Sequence, residues 1–358
     1  MNGVEAESGQ TRQRRRDASI EDVARRAGVS GQTVSRVANG RSNVGAETRQ
    51  RVLAAMSELG YRPNSAARAL RSGQFHSIGV IVFTLTSYGN LRTLEAVAAA
   101  ATERRYTITL MPLTHPTHAD VSVALDRLGE QAVDGVILLI ESHLIGSAEA
   151  RLHRDIPVVV VDSRVADRSA VVDTDQFAGA RLATEHLLEL GHETVWHVAG
   201  PQDSYSADLR LRGWRETLLA HGRPVPEPIH GDWYSDSGYA AGRRLAAEPG
   251  LTAVFAANDQ MALGLLRALT EAHRRVPQDV SVAGFDDMPE ARNFIPPLTT
   301  VHQDFTAIGR TAVQALVQEI EGGAPAEYKE IAPRLAVRDS TGRPAGPRPA
   351  PPAPVSGG

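Results

Sequence analysis

The sequence predicts a small all-helical domain followed by a larger α/β body, and three observations carry that prediction. Between residues 19 and 59, apolar residues recur at helical spacing in three successive segments, broken by glycines and capping residues. After Gly73 the pattern changes to short aliphatic runs separated by helical stretches. Strands alternating with helices argue for doubly wound parallel sheets. The alternation comes in two series, so the body reads as two similar lobes with a cleft between them.

In the first segment, ASIEDVARRAGVSGQTVSRVAN, Ser19 is placed to cap a helix with Asp22 as a short-armed capping-box partner. Ile20, Val23, Ala24 and Ala27 share one face of it. Gly28 stands at the turn, where a glycine tolerates the left-handed conformation. Ser30 caps the second helix, with Val34 and Val37 inward and Gln32, Thr33 and Arg36 outward. A helix-turn-helix enters the major groove with the N-terminal residues of its second helix, so these side chains are in position to read bases. A third helix is expected over Ala46 to Leu59, burying Val52, Ala55, Met56 and Leu59. In YRPNSAARALRSG, Pro63 breaks the chain, Asn64 can cap, and Ser65 to Arg71 fit a helix of about two turns. Such a helix is marginal alone. With Leu70 beside Arg68 and Arg71 it fits a segment that folds on the minor groove and wedges a base step.

In the body, SIGVIVF, TITLM, GVILLI and PVVVVD read as buried strands, with helices near Leu91–Arg105 and Ala119–Gln131. TVWHVA, TAVFAA and SVAGF form the second series, with helices near Asp208–His221, Ser235–Ala247 and Asp259–Thr270. Ligands of open α/β sheets bind outside the carboxyl ends of the strands. Asp162, Asn258, Asp286 and Gln303 fall at such ends. Carboxylates and amides suit a sugar, whose hydroxyls need several donors and acceptors at once. Trp233 offers a flat face for a sugar ring and Arg210 a fork of donors. Each has a plainer reading: Asn258 and Asp286 could cap helices, Trp233 could be core, and a buried Arg210 would need partners in any case.

The formal charge of −4 hides an asymmetry. Residues 1–75 hold 13 arginines against seven acidic residues, a net of +6, so the remainder carries −10. A basic head on an acidic body fits a protein that holds DNA at one end and repels it elsewhere. No apolar run is long enough to span a bilayer, and the first residues lack the apolar stretch of a signal peptide. A cytoplasmic protein with no membrane partner is expected. With no cysteine there is no disulfide framework, thiolate site or cysteine nucleophile. GxGxxG, Walker A, GxSxG and HExxH patterns are all missing, and HPTH at His115–His118 has loop composition. Neither an enzyme, nor a cofactor, nor a metal site is expected.

DVARRAGVSGQTVSRVANG followed by TRQRVLAAMSELGYRPNSAARALRSG resembles the DNA-binding head and hinge of the LacI/GalR family of bacterial repressors, and the similarity continues to about Arg338. The resemblance implies a helix-turn-helix domain with a hinge helix and a periplasmic-binding-protein-like core of two doubly wound lobes. It implies base reading by Gln32 and Arg36, phosphate contacts by Thr33, Asn39 and Thr48 beside the capping Ser30, and intercalation by Leu70. Gly31 departs from the lactose-repressor type, which carries a large side chain there. AGPQDSYSADLRLRGW, GDWYSDSG, ANDQMALG, GFDD and PPLTTVHQDF resemble that same branch. It implies a sugar pocket lined by Asp162, Arg210, Trp233, Asn258, Asp286 and Phe305, with Gln303 a neighbouring candidate.

The first lobe's FTLTSYG departs from the branch, which leaves the sugar open; a galactoside-type or other β-linked saccharide is the expectation. The C-terminal RPAGPRPAPPAPVSGG carries no leucine heptad, which favours a homodimer on a roughly palindromic double-stranded operator. A corepressor-dependent or non-sugar-responsive regulator of the same family is the alternative. The domains are drawn as a basic tail over 1–17, the helix-turn-helix domain over 18–62 and the hinge over 63–74. The core covers 75–340, crossing between lobes near 174 and 302, and a Pro-rich tail follows over 341–358.

Overall fold

The computed structural model describes residues 18–38, 43–61, 73–113, 117–139, 156–161, 170–324 and 328–345. Asn39, Leu70 and Asp162 lie outside them, with the N-terminal tail and residues 62–72 of the hinge region. The chain divides into two compact units, 1–75 and 76–358.

The first unit is built on α1 (Ile20–Ala27), α2 (Gly31–Ala38) and α3 (Ala46–Leu59). Ser19 and Asp22 close a reciprocal capping box: the Ser19 Oγ accepts from the Asp22 amide, and the Asp22 carboxylate accepts from the Ser19 amide at 3.0 Å. Gly28 ends α1 in the left-handed region, at φ 66°. That conformation aims α2 across α1, so Val23, Ala24, Ala27, Val34, Val37, Val52, Ala55 and Met56 form one core. Leu59 differs from the sequence expectation. It is 37% exposed, because α3 ends there and Tyr61 turns back onto the core instead.

The second unit holds two six-stranded sheets. The first runs β2-β1-β3-β4-β5-β11, from β1 (Ser77–Val82), β2 (Thr107–Pro112), β3 (Gly135–Leu139), β4 (Val158–Val161), β5 (Ala170–Thr174) and β11 (Lys329–Ile331). The second runs β7-β6-β8-β9-β10-β12, from β6 (Trp196–Ala199), β7 (Ile229–His230), β8 (Ala253–Ala256), β9 (Ser281–Asp286), β10 (Thr299–His302) and β12 (Arg334–Ala336). All pairings are parallel except β10 with β12. Parallel strands covered on both faces need continuous apolar sequence, which VVVV of β4 and GVILL of β3 supply, every residue buried.

The helices are α4 (Tyr88–Glu103), α5 (His118–Glu130), α6 (Gln176–Glu189), α7 (Tyr205–Ala220), α8 (Ser235–Leu245), α9 (Asp259–Glu271) and α10 (Phe305–Ile320). The chain passes from the first sheet to the second between β5 and α6. It returns between β10 and α10, whose Ile308, Ala312, Val313, Leu316 and Val317 complete the first lobe's core with Ile78, Val80 and Val97. A third passage joins β11 to β12. Beyond it, Ser340 Oγ accepts from the Thr299 amide (2.7 Å) and the Gly342 amide donates to Ser281 Oγ (3.0 Å). Beyond these contacts the described residues continue as far as 345.

Candidate functional site

On the head, α2 is anchored by the buried Val34 and Val37, which turns its other side outward. Ser30 Oγ accepts from the Thr33 amide (3.2 Å) and shares a bond with the Thr33 hydroxyl (3.0 Å), so it caps the helix. Gln32 is exposed, and Thr33, Arg36 and Thr48 are half-buried, Thr48 in the first turn of α3. A Cβ on Gly31 would lie 3.3 Å from the Ile20 methyl, so that position packs against α1. Anionic side chains are missing from α2, which leaves Arg36 to set the sign of its surface.

In the core, a cavity of about 640 Å³ opens between the carboxyl ends of the two sheets. Phe83, Thr84, Asp173 and Thr174 line it from the first lobe; Arg210, Trp233, Asn258 and Asp286 line it from the second. Gln176, Gln303 and Phe305 stand on the two passages between lobes, forming its floor. Of the effector-site residues expected from sequence, the described ones thus all border one cavity; Asp162 is outside the described residues.

Arg210 organises the floor. Its Nε donates to Gln176 Oε1 (2.9 Å) and its Nη1 to the Ala257 carbonyl (2.5 Å), while Asp286 Oδ1 lies 3.8 Å from Nη1. The guanidinium sits over the Phe285 ring, 3.8 Å from its centroid, and 5.2 Å from that of Trp233. Both members of the ion pair are almost fully buried, so each is costly without the other. Gln303 Nε2 donates to Asp286 Oδ1 (2.7 Å), and Gln176 Nε2 to Gln303 Oε1 (3.3 Å). These bonds tie the two passage segments to each other beneath the ligand space.

Trp233 is half-buried, packed on one side against the second lobe's core and facing the cavity on the other. Its φ of 75° is a sparsely populated conformation for a tryptophan, held by its surroundings. One of these holds is Asn258, whose Nδ2 donates to the Trp233 carbonyl (3.0 Å). Asn258 Oδ1 accepts from the Met261 amide (2.8 Å), capping α9. Its amide therefore serves the fold at both ends while bordering the cavity. Phe305 is half-buried and meets the Tyr88 ring edge-on at 5.7 Å.

Behind the floor, Asp259 is fully buried, accepting from the Thr300 hydroxyl (2.5 Å) and the Met288 amide (2.9 Å). Burial, reinforced by the neighbouring Asp286 charge, pushes its carboxyl well above the ordinary range despite those two bonds.

Residues that sequence reasoning passed over also meet here. Asp173 and Thr174 end β5, whose short AVVDT run repeats the apolar-then-polar form of PVVVVD, and Gln176 opens α6 just beyond it. At the cleft mouth the Tyr234 hydroxyl bonds the Thr86 hydroxyl, joining the lobes directly. Among the described residues, no group of three potential ligands could hold a metal ion, and no helix is long and apolar enough to cross a membrane.

Residues 19–64 match the family of bacterial regulatory proteins of the lacI type, and residues 184–341 match a periplasmic binding protein-like domain. The lactose operon repressor of Escherichia coli K12 is 37% identical over 313 residues, covering 86% of each chain. The chain belongs to the LacI family. Members of this family are DNA-binding transcriptional regulators rather than enzymes, and this LacI-family protein is one of them. A lac repressor dimer bound to operator and the anti-inducer ONPF superimposes with a TM-score of 0.83 at 35% identity, covering 91% of this chain and all of that one. A complex of the transcriptional regulator CelR with cellobiose gives 0.65 at 34% identity, covering 90% of this chain and 99% of that one.

Proposed function

We propose that this LacI-family regulator is a repressor released from its operator by a sugar bound in the cleft, the ligand being a galactoside-type or other β-linked saccharide. The observation that carries this reading is the cavity itself: a buried Arg210–Asp286–Gln303 network below the half-buried Trp233 ring. It offers a fork of donors, acceptors and one flat apolar face, the set that a sugar ring uses. Ligand and operator favour different orientations of the lobes, so each weakens the other's binding by the same factor. The ties between Gln176 and Gln303 put the ligand against the segments about which the lobes would turn.

On the DNA side, Gln32 and Arg36 read base edges, Ser30 fixes the start of the reading helix, and Thr33, Asn39 and Thr48 contact phosphates. The protein acts in the cytoplasm, on the nucleoid, as a homodimer over a roughly palindromic operator. Leu70 from each copy wedges the central step.

The test is fluorescence anisotropy of the purified chain on its own upstream DNA, titrated with a panel of sugars at fixed salt. Fixed salt is required because phosphate-driven affinity shifts steeply with ionic strength. Selective release by one saccharide is expected. Tightening instead of release would make the protein a corepressor-dependent regulator, and specific binding that no sugar alters would remove the sugar reading. Arg36→Ala should flatten preference across operator variants, and Leu70→Ala should weaken operator binding more than random-duplex binding.

A further inference from the structure

We infer that the cleft takes a polyhydroxy ligand bearing neither phosphate nor carboxylate, and that Asp173 and Thr174 at the end of β5 form its first-lobe subsite. The inference rests on the effector reading above and narrows it.

The charge of the cavity wall decides the class. Among the described residues lining it, Arg210 is the one cation, whereas Asp173, Asp203, Asp232 and Asp286 are acids. The charge of Arg210 is already balanced: the Asp286 carboxylate lies 3.8 Å away, while Nε donates to Gln176 and Nη1 to the Ala257 carbonyl. An anionic ligand would thus enter a wall with an excess of negative charge and find its single cation neutralised. A like charge held about 5 Å from a carboxylate in a half-buried site weakens binding by about 100-fold or more.

The geometry of β5 locates the subsite. Asp173 and Thr174 are 2% and 1% exposed, yet both border the cavity. Asp173 is fixed in place, its Oδ1 accepting from the Thr174 amide (2.6 Å) and from Gln176 Nε2 (3.4 Å). The Thr174 hydroxyl is buried without a hydrogen-bond partner. Buried polar groups of folded proteins are nearly always paired, so this unpaired hydroxyl, on a residue that borders the cavity, marks where a ligand group completes the pairing. Across the cavity the second lobe repeats the arrangement, with Asp286 fixed by Gln303. A ligand that satisfies both walls must donate hydroxyls at both of its ends. A polyol does so, and a phosphate or carboxylate, which has only acceptors to offer, does not.

The experiment is isothermal titration calorimetry of the full-length protein with neutral mono- and β-linked disaccharides, their 6-phosphates and their uronic acids. A neutral member should bind, and its anionic counterparts should bind at least about 100-fold more weakly. Thr174→Val should raise the Kd of that neutral sugar about 5- to 10-fold and Asp173→Asn about 10-fold or more, since each removes one ligand hydrogen bond. Thr174→Ser, which keeps the hydroxyl, should retain the parent Kd, so a general loss of folding cannot imitate the pattern. An anionic sugar binding as tightly as its neutral parent overturns the charge argument and leaves the sugar reading standing. Kd values within twofold of the parent in both Thr174→Val and Asp173→Asn overturn the subsite. Failure of every sugar, neutral and anionic alike, removes the sugar reading and this inference with it.

Discussion

His197 gives the second lobe a pH-dependent stability whose size follows from its surroundings. The ring is 1% exposed on β6, stacked between Trp214 (5.1 Å between centroids) and Phe255 (4.8 Å). Its Nδ1 donates to the Phe255 carbonyl at 2.8 Å, and its Nε2 has no hydrogen-bond partner. Burial lowers its pKa from 6.5 to about 3, with smaller contributions from His230, Arg210 and Arg215, and the Phe255 bond opposes the shift only in part. The folded value lies below the unfolded one, so between these pH values the unfolded chain binds a proton that the folded chain refuses. Stability is intact above about pH 6.5 and falls by about 1.4 kcal/mol per unit as the pH drops, until it levels off near the folded pKa. At pH 5 the loss from this one group is about 2 kcal/mol.

The comparison is urea unfolding of the parent and His197→Phe at pH 7 and pH 5. Tryptophan fluorescence is the readout, since Trp196, Trp214 and Trp233 all lie in the second lobe. Phenylalanine keeps the stacked ring and removes the titrating nitrogen. His186 and His192, whose pKa values burial also lowers, are present in both proteins and cancel. The parent should lose about 2 kcal/mol more than the variant between the two pH values. Equal losses would show that His197 does not carry the proton linkage, and the burial argument would fall.

Removing the α1 cap by Ser19→Ala should cost the head about 1 kcal/mol, read as a lower midpoint of its far-UV melting transition. Gly264→Ala should cost about 1–3 kcal/mol or more, because its Cβ would lie 1.8 Å from the Ser235 carbonyl where α8 crosses α9. Gly250→Ala, with nothing within 4 Å, should stay within about 0.5 kcal/mol of the parent in the same calorimetric scan. Arg210→Met leaves Asp286 buried and uncompensated and should cost about 3–5 kcal/mol in chemical denaturation. Adding Asp286→Asn should recover a large part of that loss, and a double variant worse than the single would contradict the ion-pair account.

Local chemistry was legible from sequence where it acts over a few residues. Ser19 with Asp22, Gly28 and Ser30 each declare a cap or turn within one helical turn, and the structure places them there. Strands such as VVVV and GVILL were legible because burial on both faces demands unbroken apolar sequence. β7, β11 and β12 were not, since strands of two or three residues carry no periodicity and exist only by pairing with distant partners. The third passage between lobes was hidden with them. Asn258 was ambiguous between cap and ligand contact for a physical reason: one amide can do the first with Oδ1 and still border the cavity with the rest of its side chain. Asp173 and Thr174 were missed because VVDT is too short to stand out from loop sequence.

The return of the chain through α10 has a consequence for how the protein is made. The first lobe is translated first but cannot be finished first. When β1 to β5 leave the ribosome, the side of their core formed by Ile78, Val80, Val159 and Val172 lacks Ile308, Val313 and Leu316, which are synthesised only after most of the second lobe. The second lobe, contiguous from α6 to β10, can meanwhile collapse on its own side chains. A nascent chain therefore carries an unfinished apolar face through most of its synthesis, the condition under which chaperones are needed and aggregation begins. A premature stop just before Phe305 would damage the half of the core encoded earliest.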